Sequence, residues 1–353
     1  MFDESKSVPA EGGTAVLGMD SERVEHREGT TARRTAWSRL RVLGALPSGY
    51  RRRITDAWPE AEVRIGVSTA LCTHVQADAV LVWDCTDDDL VNFVERQPSI
   101  SWVHTRAVGV DPRLLAITAD RGITLTNGRG GHGQAVAEYA MAVILAHLKR
   151  LPELHRAQQA RCWTEPAPRL AELQGKTVGI LGTGDLGSCT ARLLRPFGVR
   201  TIGIRRQQLA APDMDELCTP RDLSDVLPRL DVLVIAAPST PQTRHMIGAR
   251  ELAQLRPSAL LVNIGRGAVV DEAALVGALR SQQLAGAALD VFAREPLPPE
   301  SPLWSMPNVT ISPHCADHTI ETDERCLAHY LDNVALVRAG KAPLGTVHPD
   351  PGY

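Results

Sequence analysis

Short apolar runs alternate with polar, helix-compatible segments along most of the chain, and they form two series. The first contains LRVLGALP, AEVRIGV, ADAVLVW, SWVHTRAV and GITLTN. The second contains TVGILG, RTIGIR, DVLVIAA, ALLVNIG, GAALDVF and VTISPH. Near-continuous apolar strands separated by helices are typical of a parallel sheet that is covered on both faces. The pattern therefore predicts an α/β protein with two units, the second built on six parallel strands.

Two further helices and a tail are predicted outside this alternation. The segment from Gly133 to Leu151 is apolar on most faces, and such a helix is buried, here at a domain or subunit boundary. The amphipathic segment 320–340 lies beyond the sixth strand and could pack back on the first unit. Residues 1–36 have no sustained apolar period and are expected to form a flexible tail.

The composition suits a cytoplasmic enzyme of two domains. A chain of 353 residues, 44% of them apolar, exceeds what one hydrophobic core usually organises. Its net charge of -3 argues against nucleic acid or an anionic membrane as the main partner. Apolar stretches fall short of the roughly twenty residues that span a bilayer, and the acidic, polar start is unlike a secretory signal.

Metal and disulfide chemistry are not expected. The seven cysteines are scattered without C-x-x-C spacing, so neither a disulfide framework nor a zinc cluster is indicated. His314 and His318 in HCADH would suit a metal, but no other ligand cluster accompanies them in the sequence.

The stretch TVGILGTGDLGS predicts a dinucleotide-binding loop. It follows a strand, opens a helix near Asp185 and precedes a second strand, which is the context that G-x-G-x-x-G requires. Gly182 would permit the tight turn, Gly184 would let the backbone approach a pyrophosphate, and Gly187 would let the helix pack on the strand. The helix N-terminus would then offer N–H groups and a positive dipole end to the phosphates.

Three strand ends carry candidate catalytic side chains. Arg266 follows ALLVNIG, Glu295 follows the next strand and His314 the one after that. A guanidinium can hold a carboxylate by two hydrogen bonds, an imidazole can exchange a proton with a hydroxyl or carbonyl oxygen, and a carboxylate can orient and charge the imidazole. The alternatives are that Arg266 caps a strand end, that Glu295 pairs with Arg294 in a solvated turn, and that His314 is a core histidine.

Together these motifs, with APSTPQTRHMIG and PLWSMPNVTISPH, resemble the D-isomer-specific 2-hydroxyacid dehydrogenase family from about residue 75 to 335. The resemblance implies two Rossmann-like or flavodoxin-like domains, the cofactor domain being inserted into a split substrate domain. The expected substrate domain comprises 37–148 and 320–353, and the expected NAD(P)-binding domain comprises 149–319. The expected activity is NAD(P)-dependent interconversion of a 2-oxo acid and a D-2-hydroxy acid.

The resemblance also implies roles for individual residues. Arg266 would anchor the substrate carboxylate and polarise its keto oxygen, His314 would be the general acid or base, and Glu295 its partner. The backbone around Val108 and Gly109 would receive the carboxylate. The expected cofactor contacts are Gly182, Gly184, Asp185, Leu186, Gly187, Arg205, Arg206, Ala237, Pro238, Thr243, Ile264 and Asp290.

Departures from the family pattern narrow the reaction. Phosphite dehydrogenases carry lysine where this chain has Val108, and formate dehydrogenases carry glutamine where it has Glu295, so both subclasses are disfavoured. A hydroxypyruvate- or glyoxylate-like reductase, or a biosynthetic one, is expected. Arg106 is expected to face solvent rather than a second anionic group of the substrate. Candidates for selectivity, by position, are Trp83, Asp84, Cys85 and Trp163.

Cofactor choice depends on the end of RTIGIR. NAD-selective domains place a carboxylate there for the ribose 2′-hydroxyl, but this chain has Arg205 and Arg206, and its next carboxylate is Asp213. NADP(H) is therefore favoured over NAD(H), unless both arginines are solvated or only stack on adenine. A homodimer is expected, since the family pairs through the helix that begins at Gly133.

A different class of function remains open at this point. Corepressor proteins of the same family bind dinucleotide and partner peptides, and the three candidate catalytic residues do not exclude that reading. The composition, with only four lysines beside many arginines and alanines, suggests a bacterial source. An enzyme is favoured because the candidate site is complete.

Overall fold

Two parallel sheets organise the residues that the computed structural model describes, which are 38–66, 76–163, 165–207 and 210–347. The predicted flexible tail, residues 1–36, lies outside the described residues. Every strand pairing is parallel, so the predicted α/β fold class is confirmed.

The first sheet has five strands in the order β2-β1-β3-β4-β5. The strands are β1 Arg39–Leu43, β2 Glu62–Gly66, β3 Ala79–Val82, β4 Trp102–Thr105 and β5 Thr124–Asn127. The helices between them are α1 Tyr50–Ala57, α2 Asp87–Glu95 and α3 Pro112–Asp120. Each strand coincides with one of the predicted apolar runs, and β1 begins one residue before its run.

The second sheet has seven strands in the order β12-β11-β10-β9-β6-β7-β8. The strands are β6 Thr177–Leu181, β7 Arg200–Ile204, β8 Glu216–Cys218, β9 Val232–Ile235, β10 Leu260–Asn263, β11 Gly286–Leu289 and β12 Val309–Ile311. The helices are α6 Asp185–Leu194, α7 Leu223–Val226, α8 Ala249–Leu252 and α9 Glu272–Arg280.

The prediction of six strands in this unit was one short. Strand β8 has three half-buried residues at the edge of the sheet, and no apolar run marks it in the sequence. The strand order reverses between β6 and β9, which leaves a crevice at the carboxyl ends of the central strands, where open α/β sheets bind ligands.

The helix predicted from Gly133 to Leu151 ends earlier. Helix α4 spans Gly133–Leu148, and a separate helix, α5, spans Leu151–Gln159. Arg150 has a left-handed φ of 51°, and Pro152 lies in the first turn of α5. Proline lacks the N–H that would continue the helical hydrogen bonds, so the break is placed just before it. Helix α4 packs against α6 and the strands β10 and β11.

The last helix, α10 Ile320–Arg338, returns to the first sheet as expected. Tyr330 is buried, and its ring stacks on that of Trp102 with 5.7 Å between centroids. The chain thus leaves the first sheet through the segment before α4 and comes back through the segment after β12. In the described part of the chain, every helix is too short or too polar to cross a lipid bilayer.

Candidate active site

The glycine-rich loop has the geometry that the sequence predicts. Gly182 has a φ of 96°, and a Cβ there would lie 2.8 Å from the backbone of Ala237. A Cβ on Gly187 would lie 2.0 Å from the carbonyl oxygen of Gly182, so only glycine lets α6 approach the strand. At Gly184 a Cβ would meet no described atom within 4 Å, and no side chain caps the helix there. The loop therefore leaves an open cradle at a helix N-terminus, which suits a pyrophosphate.

The end of β7 carries Arg205, half-buried, and Arg206, exposed. The carboxylates that follow in sequence are engaged elsewhere: Asp213 pairs with Arg192, and Asp215 accepts from Thr201. Glu216 on β8 pairs with both Arg200 and Arg229. Arg205 therefore stands directly after β7, and the three carboxylates that follow it in sequence are paired with other side chains or the backbone.

The remaining predicted cofactor residues line the same edge of the sheet. Thr243 donates to the carbonyl of Pro238 over 2.7 Å, which fixes the turn after β9. Ile264 and Asp290 are buried directly after β10 and β11. These positions follow three adjacent strands, β9, β10 and β11, on the side of β6 away from β7.

His314 and Glu295 form a hydrogen-bonded pair. The His314 Nδ1 atom lies 2.7 Å from Glu295 Oε2, and the other carboxylate oxygen accepts from the amide of Phe292 over 2.9 Å. A carboxylate only accepts, so Nδ1 carries the proton, and Nε2 is the atom that can exchange one with a substrate. His314 is 46% exposed, so it is not a core histidine, and the partners of the Glu295 carboxylate are His314 and the Phe292 amide rather than Arg294.

The pair shifts both pKa values in the directions that acid catalysis needs. The hydrogen bond to Glu295 raises the pKa of His314 above its ordinary value, against an opposing effect of burial. Burial alone would raise the pKa of Glu295, but the hydrogen bonds from His314 and from the Phe292 amide outweigh it and lower that pKa. The imidazolium is therefore favoured at neutral pH more than in a free histidine.

Arg266 lies against the loop after β4. A Cβ on Gly109 would be 2.3 Å from Arg266 Nη2, so the guanidinium occupies the space that any side chain at residue 109 would fill. Nη1 donates to the carbonyl of Gly265 over 2.7 Å, and Asn263 donates to the carbonyl of Arg266. The charge of the guanidinium lowers the pKa of Glu295 and opposes the raised pKa of His314. The three side chains are therefore close enough to interact electrostatically.

Asp290 has a further contact set that sequence reasoning missed. Its Oδ1 accepts from Ser312 Oγ over 2.5 Å and from the Cys315 amide over 3.0 Å, and its Oδ2 accepts from the Ala316 amide. The Ser312 hydroxyl in turn meets Tyr139 Oη on α4. Because His314 itself has a left-handed φ of 53°, this network holds an otherwise unfavourable backbone in place.

Arg106 does not face solvent, so that expectation was wrong. Its Nη2 lies 2.9 Å from Asp323 on α10, its guanidinium sits 5.7 Å from the ring centroid of Trp83, and only 17% of the side chain is exposed. The side chain is thus committed to the protein. Nothing in the sequence signals this pairing, because residues 106 and 323 are far apart in the chain.

The other candidates are dispersed. Trp83 is buried, Cys85 is half-buried with a pKa raised to about 12 by burial and nearby aspartates, and Trp163 is 87% exposed. His318 lies 3.8 Å from Asp317. Within the described residues, no three His, Cys, Asp or Glu side chains gather as a metal site.

Comparisons with known proteins agree with this architecture. Residues 141–316 match the family model described as the NAD binding domain of D-isomer specific 2-hydroxyacid dehydrogenase. The chain is 38% identical over 289 residues to a glyoxylate reductase of Aeropyrum pernix, covering 79% of this chain and 85% of the relative. It is 35% identical to glyoxylate/hydroxypyruvate reductase B of Yersinia enterocolitica, covering 73% and 80%. The chain belongs to the D-isomer-specific 2-hydroxyacid dehydrogenase family.

Solved structures of this family share the fold. An NADPH-dependent glyoxylate/hydroxypyruvate reductase of Sinorhizobium meliloti, in complex with NADP and malonate, superposes with a TM-score of 0.76 at 30% identity, covering 90% of this chain and 98% of the other. A family member from Xanthobacter autotrophicus, in complex with NADPH and MES, gives 0.75 at 33% identity, covering 90% and 100%. Membership makes this chain an NAD(P)-dependent 2-hydroxyacid dehydrogenase.

The Gly109→Ala variant should lose activity without losing stability. The new Cβ would displace the far end of the Arg266 side chain, which is flexible, rather than backbone. We expect the melting temperature to change by no more than about 2 °C and kcat/KM for a 2-oxo acid to fall by about 10- to 100-fold. Gly277→Ala on α9, where a Cβ has open space, is the matched control. Equal kinetics for the two variants would contradict the contact.

The Glu295→Gln variant should lower the pKa of His314. Removing the carboxylate removes the first cause of the raised pKa, so the imidazolium is lost at a lower pH than in the wild type. An NMR titration of the His314 ring reports this directly, and the high-pH limb of ketone reduction should move in the same direction. Glu300→Gln, in an exposed turn, serves as control. Superimposable titrations of wild type and Glu295→Gln would refute the pairing.

Proposed function

We propose that the protein reduces a small 2-oxo acid to its D-2-hydroxy acid, with NADPH in preference to NADH and with glyoxylate or hydroxypyruvate as the first substrates to examine. The observation that carries the proposal is the 2.7 Å contact of His314 with Glu295, beside Arg266. The relatives named glyoxylate reductase and glyoxylate/hydroxypyruvate reductase support this substrate class.

In the proposed mechanism His314 is the general acid. Glu295 holds the imidazole through Nδ1, so the Nε2 proton can pass to the keto oxygen as that oxygen becomes an alkoxide. When bound, the dihydronicotinamide supplies the hydride that forms the new C–H bond. The neutral imidazole that results takes a proton from solvent, and in the oxidative direction it accepts the hydroxyl proton.

Arg266 is the proposed anchor of the substrate. Its guanidinium, which lies against Gly109, would hold the carboxylate and polarise the keto oxygen, and the backbone of Val108 and Gly109 would complete the carboxylate site. Asn127 donates to the carbonyl of Val108 over 2.8 Å, so this backbone is fixed before substrate arrives. A guanidinium and backbone N–H groups that are already in position stabilise the negative charge that develops on the keto oxygen without reorganisation.

The glycine loop and the strand ends behind it would hold the cofactor. Gly182, Gly184, Asp185, Leu186 and Gly187 would surround the pyrophosphate. Ala237, Pro238 and Thr243 would lie along the adenosine half, and Ile264 and Asp290 would meet the nicotinamide amide. The cofactor domain is proposed to span 149–319, between two parts of a substrate domain at 37–148 and 320–353.

A steady-state panel tests the activity. Glyoxylate, hydroxypyruvate, phenylpyruvate and phosphonopyruvate should each be assayed with NADH and with NADPH, for the wild type and for His314→Ala. We expect turnover of at least one acid, and a loss of nearly all of it in the variant with the cofactor Kd unchanged. His155→Ala, an exposed histidine on α5, is the control. Undiminished activity of His314→Ala would reassign the acid.

A corepressor-like binding module is the second candidate function. The family resemblance alone raises it, and the same panel separates the two. A protein that binds NADPH yet turns over none of the acids would favour the module. The relatives named glyoxylate reductase and glyoxylate/hydroxypyruvate reductase favour the enzyme.

The proposed preference for NADPH rests on Arg205. If its guanidinium bonds the 2′-phosphate, with each charge-assisted bond contributing about 1.5–3 kcal/mol, Arg205→Asp should lower kcat/KM with NADPH by roughly 10- to 100-fold and relatively favour NADH. The charge-reversal control is Arg250→Asp, at the exposed start of α8. A wild-type enzyme that prefers NADH, or uses both cofactors equally, would contradict the proposal that Arg205 selects NADPH.

We also propose that the protein is a homodimer. Large apolar side chains are exposed after α4, with Leu151 51%, Trp163 87% and Leu170 53% accessible. Pairing of this segment with a second copy, which the family resemblance implies, would remove these side chains from water. Light scattering at micromolar protein should give twice the chain mass. A strictly monomeric mass would remove the proposal.

A further inference from the structure

His132 occupies the point where the chain passes between the sheets. It is the residue before α4, and its side chain is only 6% exposed. Its ring contacts both a loop of the first sheet and the segment that follows β12. A buried histidine with partners on both sides belongs to neither sheet alone, and the mechanism described above does not use it.

Both nitrogens of the ring meet acceptors. Nδ1 lies 2.7 Å from Asp317 Oδ2, and Nε2 lies 2.9 Å from the carbonyl oxygen of Arg106. Carboxylate and carbonyl oxygens only accept, so each ring nitrogen must carry a hydrogen, and the side chain is an imidazolium. The Cys326 sulfur, 3.5 Å from Nε2, is a weaker neighbour.

The charge balance of the site agrees with this protonation. Burial alone would lower the pKa of His132, but the hydrogen bond with Asp317, the contact with Cys326 and the Arg106 carbonyl raise it. Burial alone would raise the pKa of Asp317, and the His132 hydrogen bond and charge lower it. A buried ion pair that also satisfies a backbone carbonyl is the arrangement in which such charges are tolerated.

The two partners of His132 lie in the two segments that form the proposed active site. The Arg106 carbonyl lies two residues before Val108 and three before Gly109, which touches Arg266. Asp317 lies three residues after His314. One side chain therefore bridges the loop proposed to receive the substrate carboxylate and the segment that carries the proposed acid.

We propose that His132 is a positioning residue, which sets the distance between the carboxylate-binding loop and His314 by donating to Arg106 and Asp317 at once. The proposal rests on the proposed reductase function. In this role His132 does not contact the substrate. Misplacing reacting groups by about 1 Å can reduce a rate by 100-fold, so a residue outside the site can act at this scale.

Kinetics of matched variants test it. In His132→Ala and Asp317→Ala we expect kcat/KM for the 2-oxo acid to fall by about 10- to 100-fold, because kcat falls and KM rises. The Kd for NADPH should stay unchanged within about twofold. Asp317→Asn should stay within about threefold of wild type. Its amide can donate to Nδ1 of a neutral imidazole whose Nε2 still donates to Arg106. His155→Ala is the control.

The pattern separates positioning from a purely structural role. A residue that only stabilised the fold would lower the melting temperature and leave KM unchanged in the folded fraction. Wild-type constants in His132→Ala, or an Asp317→Asn variant as impaired as Asp317→Ala, would overturn the proposal. If the alanine variant fails to fold, His132→Gln, which keeps one donor, should give an intermediate loss, and wild-type constants there would overturn it equally.

Hydrogen exchange gives a readout independent of turnover. In His132→Ala or His132→Gln, amides of residues 106–110 and 314–318 should exchange at least about tenfold faster than in His155→Ala, because both segments lose an anchor. If the wild type reduces none of the acids, the proposed function fails while this measurement still decides the bridge. Unchanged exchange in both segments would refute it.

Discussion

The parallel direction of β10, β11 and β12 is the constraint on which the site depends. Asn263 pairs with Leu289, and Leu289 with Ile311, so the three strands end in register. Residues that follow them must leave the sheet at one edge, and Arg266, Glu295 and His314 do so. Antiparallel pairing of any one strand would send its side chain to the opposite edge. The chemistry proposed for this chain is thus a consequence of strand direction before it is a consequence of side-chain geometry.

Strand direction brings the groups to one edge, but backbone hydrogen bonds fix them within hydrogen-bonding distance. Asp290 accepts from the amides of Cys315 and Ala316, and the Phe292 amide donates to Glu295. The two bonds to Asp290 tie the loop after β12 to the end of β11, and the Phe292 bond fixes Glu295 within the loop after β11. The left-handed backbone of His314 is stable only in such a setting, since a non-glycine residue pays energy for that conformation.

The sequence predicted most of the fold and the local part of the site. Strands could be predicted from runs of apolar residues, and the roles of Gly182 and Gly187 from the spacing of the glycine-rich loop. Both signals are local, because they depend on residues that are near each other in the sequence. Three features were not predicted. Strand β8 has no apolar run, Arg106 finds Asp323 only through the return of α10, and the end of α4 was misjudged although Pro152 signals it. The segments before α4 and after β12, where the chain passes between the two sheets, contact each other through His132 and Asp317. These residues are 185 positions apart, so no periodic pattern in the sequence indicates their contact.

Two histidines in this molecule illustrate how environment assigns chemistry to one residue type. His314 and His132 both hold a carboxylate through Nδ1 at 2.7 Å, and in both cases that bond raises the pKa of the ring. They differ in the partner of the second nitrogen and in exposure. His314 is 46% exposed, so its Nε2 can meet a substrate oxygen, whereas His132 is 6% exposed and its Nε2 already donates to the Arg106 carbonyl. A proton that is committed to a carbonyl cannot be transferred without breaking a buried bond. The same imidazole–carboxylate unit therefore suits proton transfer at the open position and a fixed charged link at the closed one.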